Sequence, residues 1–450
     1  MDRIKSVGRT SSSRLLLAVT TALLSGRLLL CAQTNIPVIS EFQTWNWHAQ
    51  NTIVLQATPP FPAAYSGPNS LNRGGEIRET VSLDLIAGVR LWRGAEAHVD
   101  GLMWQGFGLS QALGVDGFPN GEAFRLGTDI PNVNLCRVFV RQTIGLGGEP
   151  EKVGDDALHL AGWQDVKRVT FTLGRMNVKD IFDNNTYAND PRTQFLNWAL
   201  MANEAWDFPA DSLGYMTGLA LELNQPRWAV RYGFFQMPRV SNGMKVDTHL
   251  LDAWAMVAET EFRHVIRDHP GAIRFLAFLN QAHMGSYAAT LADPGLGMDI
   301  SKTRDYRQKF GFGLNVEQEI VKNVGVFTRL GWSDGRNEAW AFSDVDRTAT
   351  LGVSVKGESW RRAEDTFGLA GVLNGLSAVH REYLSAGGLG ILAGDGRLAY
   401  GGEQILETYY NCQVWKTVHL SFDYQFVNHP AFNRDRGPVH VFGARLHWEF

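Results

Sequence analysis

The sequence predicts an all-β protein, a transmembrane antiparallel β-barrel of about 16 strands with a short helix in a loop that folds into the barrel. Apolar and polar residues alternate with a period of two in many separate segments. After the first 32 residues there is no apolar run of about 18 residues, so we do not expect helices to cross a membrane. Short polar turns alternate with long connectors, which is the pattern of outer-membrane barrels.

The last strand shows the alternation clearly, in the terminal sequence VHVFGARLHWEF. Phe442, Leu446 and Phe450 fall on one face, and Arg445 and Glu449 fall on the other. A barrel in lipid needs such strands, with the apolar side outward and the polar side toward a wet interior. Comparable segments lie at 52–57, 81–90, 95–103, 137–141, 168–173, 219–223, 227–234, 254–263, 273–280, 309–317, 324–330, 351–355, 367–373, 406–414 and 418–426.

The connectors between these segments differ in length. The turn 224–227 is short, whereas 105–134 is long, and the stretches 285–308 and 377–403 are predicted as loops. We expect strands of roughly 9–11 residues, the length that a tilted strand needs to cross a bilayer. No linker divides the chain, so residues 33–450 are predicted to form a single barrel domain.

The first 32 residues have the composition of an export signal. Basic residues precede an apolar stretch, and Leu30, Cys31 and Ala32 resemble a cleavage site for a signal peptide. Removal of residues 1–32 would take away five of 42 basic and one of 46 acidic side chains, leaving a formal charge of −8. This charge argues against a nucleic-acid partner. Cys136 and Cys412 remain, and we expect them to be unpaired residues on apolar strand faces. The alternative is one disulfide in an oxidising compartment.

One long segment, 174–212, breaks the strand rhythm. Asp190 suits a helix N-cap and Pro191 its first turn, and Phe195, Trp198 and Ala202 follow at helical spacing, so we predict two to three turns. A loop of this length inside a compact barrel is usually functional, and an inward fold would narrow the pore.

Polar and aromatic side chains of this segment are the first set of candidates for contact with a solute in the pore constriction. The alternative is a folded surface loop in which Asp and Asn satisfy local turns. The candidates are Asp180, Asp183, Asn184, Asn185, Arg192, Gln194, Asn197 and Trp206.

Arginines on the polar strand faces are the second set of candidates. Arg137, Arg141 and Arg231 are the ones assigned to the constriction. Guanidinium groups hold oxygen atoms in fixed geometry and bias a pore toward anions. We expect most of the arginines to pair with acids across the wall, and two or three to line the narrowest point. The whole set comprises Arg137, Arg141, Arg168, Arg231, Arg274, Arg329 and Arg445, with Glu96, Asp100, Glu222, Glu259 and Glu407 as partners.

Several blocks of the chain resemble the OprB-type carbohydrate-selective porins of the Gram-negative outer membrane. They are FPAAYSGPNSLNRGGE at 61–76, the central block 172–215 that begins TLGRMNVKDIFDNNTYANDPRTQFLNWA, the terminal block 403–450 and, more weakly, GFGLSQALGVDGFPNGE at 106–122. The resemblance implies a barrel in the outer membrane that lets sugars diffuse passively into the periplasm, with the constriction at 180–197 and nearby arginines. It implies no catalysis and no cofactor, contact with outer-membrane lipid, and recognition of Phe450 by the barrel insertion machinery.

Three alternatives remain open at this stage. The first is a general-diffusion porin without sugar preference, and the second is a barrel plugged by its own loop. The third is a secreted β-rich glycan-binding protein or hydrolase, for which Asp180 with Asp183, or Glu204 with Asp207, are nominal carboxylate pairs. A propeller should show an internal repeat of about 40–50 residues, and none is found. The sequence contains no metal-binding motif either. His264 and His269 are five residues apart and are interpreted as part of a polar turn.

Overall fold

The computed structural model describes residues 42–122 and 127–450, and the predicted signal peptide lies outside them. Sixteen antiparallel strands form a closed barrel, and two further strands pair separately as a hairpin. The predicted fold class is therefore confirmed. A closed barrel with an apolar exterior also excludes the soluble propeller alternative.

The strands and helices run in the following order. The strands are β1 (Trp45–Thr58), β2 (Glu76–Trp92), β3 (Ala95–Gly106), β4 (Thr128–Gly145), β5 (Pro150–Val153), β6 (Gly162–Asp165), β7 (Arg168–Met176), β8 (Met216–Asn224), β9 (Trp228–Gln236), β10 (Trp254–Ile266), β11 (His269–Met284), β12 (Asp305–Val321), β13 (Val324–Ser333), β14 (Arg347–Gly357), β15 (Arg362–Gly375), β16 (Glu403–Trp415), β17 (Val418–Asn428) and β18 (Val439–Glu449). The α-helices are α1 (Trp198–Met201), α2 (Tyr287–Ala292) and α3 (Ala378–Ser385).

The terminal strand closes the barrel against the first. Gln50 pairs with Glu449 and Ala57 with Phe442, and the backbone N–H of Phe450 donates to the carbonyl of Ala49 at 2.8 Å. Closure leaves no free sheet edge, which a barrel in lipid requires because no water is present there to satisfy backbone groups.

The exterior of the barrel is apolar and the interior polar. On β18, Phe442 is exposed on the outside while Arg445 and His447 are buried inside. Exposed aromatic residues gather at the end of the barrel where the turns are short, as expected for a belt at a membrane interface. They include Trp45, Trp47, Trp92, Trp228, Trp415 and Phe450.

Several boundaries differ from the sequence-based expectation. Strands β2, β4, β11 and β12 have 16–18 residues, longer than the 9–11 expected, because they continue beyond the bilayer thickness. The stretches predicted as loops contain α2 and α3, and β12 begins at Asp305. Connector 146–167, at the short-turn end, holds the unpredicted β5–β6 hairpin.

Cys136 and Cys412 are both free, as expected.

Within residues 42–122 and 127–450, no helix has the length and apolarity needed to span a membrane.

Candidate functional site

Residues 177–215, here called the inward segment, connect β7 to β8 and lie inside the barrel. Carboxylates from the near and the far side of the barrel wall accept hydrogen bonds from its backbone, which forms no strand. Glu259 of β10 accepts from the N–H of Asp183 at 2.7 Å, and Glu407 of β16 accepts from the N–H groups of Leu196 and Asn197 at 2.5 and 2.9 Å. The segment therefore crosses the lumen and fills much of it.

Arg329 of β13 is the main anchor of the inward segment. Its Nε donates to Oδ1 of Asp183 at 3.1 Å, and its Nη1 donates to the carbonyl of Leu200 at 2.7 Å. Its Nη2 donates to the carbonyls of Asp183 and Ala188 at 3.1 and 2.8 Å. One buried guanidinium thus ties together three points of the segment. The desolvation of its ion pair with Asp183 is offset by the hydrogen bonds to the three carbonyl groups.

The predicted helix of the segment is shorter than expected, and its cap is different. α1 has a single turn, and Oδ1 of Asn197 accepts from the N–H of Ala199 at 3.0 Å. Asp190 instead accepts from the N–H of Arg192 at 2.9 Å and closes a separate turn. The apolar spacing that suggested more turns reflects packing against the barrel wall: Phe195 contacts the rings of Phe327 and Tyr409.

A cavity of about 440 Å³ runs along the inward segment, and we call it the channel cavity. Its lining extends from Trp104 and Phe342, next to the long connectors, to Gln50 and Glu449, near the short turns. In outer-membrane barrels the short turns face the periplasm and the long loops face outward. The cavity therefore follows the transport axis.

Two arginine clusters form the polar side of the channel cavity. Arg137 of β4 donates to Asp100 at 2.6 Å and makes a bidentate pair with Asp180 at 2.8 and 2.9 Å. Arg192 of the inward segment contacts Asp84 of β2 at 3.1 Å and Glu122 at 3.4 Å. The bidentate pair fixes the guanidinium plane of Arg137, and the two acids beside Arg192 hold its guanidinium in place before any solute arrives.

Lys179 also lines the channel cavity, but it has a different set of partners. Its Nζ donates to Oδ1 of Asn189 at 3.1 Å and to the carbonyl of Met201, and no carboxylate lies within 4.0 Å among the described residues. Burial, followed by the nearby charge of Arg329, lowers the pKa of Lys179 to about 7. Its charge therefore changes near neutral pH.

Aromatic side chains also line the channel cavity. The rings of Trp198 and Phe342 lie 4.9 Å apart, and those of Phe208 and Phe342 lie 5.2 Å apart. Phe118 also stacks on Trp198, with ring centroids 5.0 Å apart, which holds the indole in place. The cavity therefore combines an aromatic surface with fixed hydrogen-bonding groups.

A second cavity of about 300 Å³ lies near the short turns, under connector 146–167. Arg141 pairs there with Glu96 at 3.1 Å and donates to the carbonyl of Leu158 at 2.7 Å. Arg231 pairs with Glu222 at 3.1 Å and with Glu259 at 2.8 Å. Asp180 lines both this cavity and the channel cavity, which places the two next to each other.

The eleven predicted residues divide into two groups in the structure. Those that line a cavity are Arg137, Arg141, Asp180, Asn184, Arg192 and Arg231. The others are Asp183, Asn185, Gln194, Asn197 and Trp206, which line neither of these two cavities and support the fold of the inward segment.

Each member of the second group has a local structural partner. Asp183 binds Arg329, and Asn185 donates to Asn315 at 2.8 Å. Gln194 accepts from the N–H of Asn189 at 2.6 Å, Asn197 caps α1, and Trp206 packs edge-on against Phe182.

The expected pairing with acids of the wall holds for Arg137, Arg141, Arg231 and Arg274. The other three arginines of the set differ, and Arg168 pairs with Glu151 of connector 146–167 at 2.6 Å. Arg329 pairs with Asp183 of the inward segment, and Arg445 donates to Ser421 and to the carbonyl of Pro191. Glu407, an expected arginine partner, binds backbone N–H groups instead.

Sequence reasoning missed several residues that line the channel cavity. The period-two parity of β3 places Leu102 and Trp104 on the same face as Asp100, so the alternation could have identified them. Lys179 and Glu122 carried no such signal, since both belong to irregular connectors.

A closed 16-stranded barrel with an apolar exterior and a polar, constricted interior defines an outer-membrane channel. The structure of Pseudomonas putida OprB at high pH is similar to this chain with a TM-score of 0.69 and 15% identity, covering 90% of this chain and 94% of that chain. The DcaP channel of Acinetobacter baumannii gives a TM-score of 0.47 at 9% identity, covering 90% and 97%. No curated protein matches the sequence.

The sequence itself shows the family, because the family model described as "Carbohydrate-selective porin, OprB family" matches residues 69–450. The chain belongs to this family of sugar-selective outer-membrane porins, which confirms the resemblance found in the central and terminal blocks.

Proposed function

We propose that small sugars cross the outer membrane through the channel cavity and bind there transiently between Trp198 and the arginine clusters. The observation that carries this proposal is the shared lining: aromatic rings and two fixed guanidinium groups border the same space of about 440 Å³. A pyranose has hydroxyl groups at its edge and C–H groups on its faces, so it matches both kinds of lining.

The residues have distinct roles in this proposal. Arg137 and Arg192 donate hydrogen bonds to hydroxyl oxygens, and Asp180 and Asp190 accept hydrogen bonds from hydroxyl groups. Trp198 packs against the C–H face of the sugar ring. Because the guanidinium groups are already paired, a neutral hydroxyl group competes for only part of their hydrogen-bonding capacity, and binding stays weak enough for the sugar to leave.

Arg141, Arg231 and Asn184 line the second cavity, beyond the constriction. We assign them to the exit path rather than to the narrowest point. Asp183, Asn185, Gln194, Asn197 and Trp206 act through the inward segment, whose position they fix.

Export and assembly complete the proposal. Residues 1–32 act as a cleaved signal peptide, residues 33–450 form the barrel in contact with outer-membrane lipid, and Phe450 is recognised by the barrel insertion machinery. The exposed side chain of Phe450, next to paired backbone atoms, supports this role because the ring is accessible at the rim.

Liposome swelling with refolded residues 33–450 tests the proposal. Glucose and a disaccharide should enter faster than a neutral amino acid of the size of glucose. The Arg192→Gln variant should lose this advantage, and the Arg381→Gln variant should keep it, because Arg381 lies on α3 and contacts the ring of Tyr400 instead of the channel. Entry ranked by size alone would leave a general-diffusion porin. No entry through folded protein would indicate a plugged barrel.

A further inference from the structure

Acidic and basic side chains along the channel cavity differ in how far they are exposed to it. Among the described residues, its lining includes five carboxylates, from Glu122, Asp156, Asp180, Asp190 and Glu449, and three cations, from Arg137, Lys179 and Arg192. The number of arginines in the sequence suggested a bias toward anions, but the acids outnumber the basic groups where the solute passes.

The basic groups are covered. The side chains of Arg137 and Arg192 are 10% and 18% exposed, and Lys179 is buried beneath loop carbonyls. Each arginine also faces more than one acid. Arg137 lies between Asp100 and Asp180. Arg192 lies between Asp84 and Glu122, with Asp190 at 3.9 Å. A guanidinium shared by two carboxylates offers little net positive charge to a passing ion.

Three of the acids protrude into the cavity. The side chains of Asp156, Asp190 and Glu449 are 59%, 44% and 66% exposed. They come from three separate elements, which are connector 146–167, the inward segment and the end of β18. Side chains with this exposure keep water around the carboxylate group, whereas burial raises the pKa of Glu122. The net charge that a solute meets is therefore set by the protruding acids.

A fourth carboxylate adds to the negative charge at this end of the cavity. Asp155 lies beside Asp156 on connector 146–167, 3.1 Å from Nε2 of His48, and its side chain is 44% exposed. It lines a neighbouring opening that also contains Asp156 and Glu449. His159 lies 2.9 Å from Asp156. His48 and His159 are two of the basic groups that face the protruding acids near the short turns. His447 lies 3.7 Å from Glu449, and Lys416 lines the same neighbouring opening.

We propose that this channel selects by charge, so that cations and neutral or amino sugars pass more readily than sugar acids. The selection takes place where Asp156, Asp190 and Glu449 border the path on the periplasmic side of the constriction. This inference rests on the proposed sugar channel and specifies which class of sugar it favours. The arginines then serve as hydrogen-bond donors and as anchors for acids, and they do not attract anions.

Ion selectivity in a planar bilayer tests the charge proposal at pH 7.5. With a tenfold KCl gradient around 0.1 M, the reversal potential should give a K⁺ to Cl⁻ permeability ratio above about 3, because three exposed carboxylates lie within a Debye length of the path. The triple variant Asp156→Asn, Asp190→Asn, Glu449→Gln keeps the side-chain shapes and one acceptor oxygen in each side chain. Its ratio should fall to about 1. The Glu382→Gln variant, changed at an exposed position of α3, should match the wild type.

Liposome swelling with glucosamine, glucose and glucuronate completes the test. Glucuronate should enter at least about threefold more slowly than glucose in the wild type, and the triple variant should remove this difference. Equal entry of glucose and glucuronate in the wild type, a preference for Cl⁻, or an unchanged ratio in the triple variant would overturn the charge proposal. The proposed function depends on a different comparison, which is the rate of glucose entry relative to that of the neutral amino acid.

Discussion

Arg329 is the residue whose loss should most affect the inward segment. The Arg329→Met change removes four hydrogen bonds and leaves Asp183 buried without its cation. Loss of one partner of a buried ion pair costs about 3–5 kcal/mol. We therefore expect local opening of the segment to become easier by about 4 kcal/mol, which is roughly a 10³-fold increase in its open population.

Limited proteolysis measures this opening, because cleavage follows the open population when closing is fast. Cleavage within residues 177–215 should become roughly 10³-fold faster, and the single-channel conductance should rise as the segment leaves the lumen. Arg267→Met is the matched control, because Arg267 lies exposed in the two-residue turn between β10 and β11. A cleavage rate within about tenfold of the wild type, with unchanged conductance, would refute the anchoring role of Arg329.

Three further predictions concern the solute, the pH and assembly. Trp198→Ala should weaken glucose binding by about 1 kcal/mol, or about fivefold, in current-block measurements. The control variant Trp415→Ala, changed at the outer rim, should bind glucose like the wild type. Equal glucose affinity in the wild type and both variants would contradict the contact between Trp198 and the sugar. Because the pKa of Lys179 is lowered to about 7, this group is charged below and neutral above that pH. The K⁺ to Cl⁻ permeability ratio should thus rise from pH 6 to pH 8, and a rise of the same size in Lys179→Gln would exclude Lys179 as its source. Phe450→Ala should lower the yield of assembled barrel in cells but leave the conductance of refolded protein unchanged, and a normal yield would count against recognition of Phe450.

The barrel wall could be predicted from the sequence because its rule is local. A period of two assigns each strand residue to lipid or lumen, and it placed Arg137, Arg141 and Arg231 correctly on the inside. The same rule predicted the exposed aromatic end of β18. The lengths of β2, β4, β11 and β12 were underestimated because alternation does not show where a strand leaves the bilayer.

The inward segment could not be resolved to single residues, since its partners are distant in sequence. Asp183 and Asn197 have the composition expected of solute-binding residues, but their side chains serve Arg329 and α1. A buried acid that stabilises a loop and an exposed acid that binds a solute look alike in sequence. Asp190 and Glu449 could be assigned to the cavity only once the wall and the segment were seen together.

Glucose-dependent block of the single-channel current tests the central claim most directly. Binding between Trp198 and the arginine clusters predicts a current that falls with glucose concentration and saturates, with a smaller effect in Trp198→Ala. A current that falls only in proportion to solution viscosity, equally in both proteins, would contradict a sugar-binding constriction.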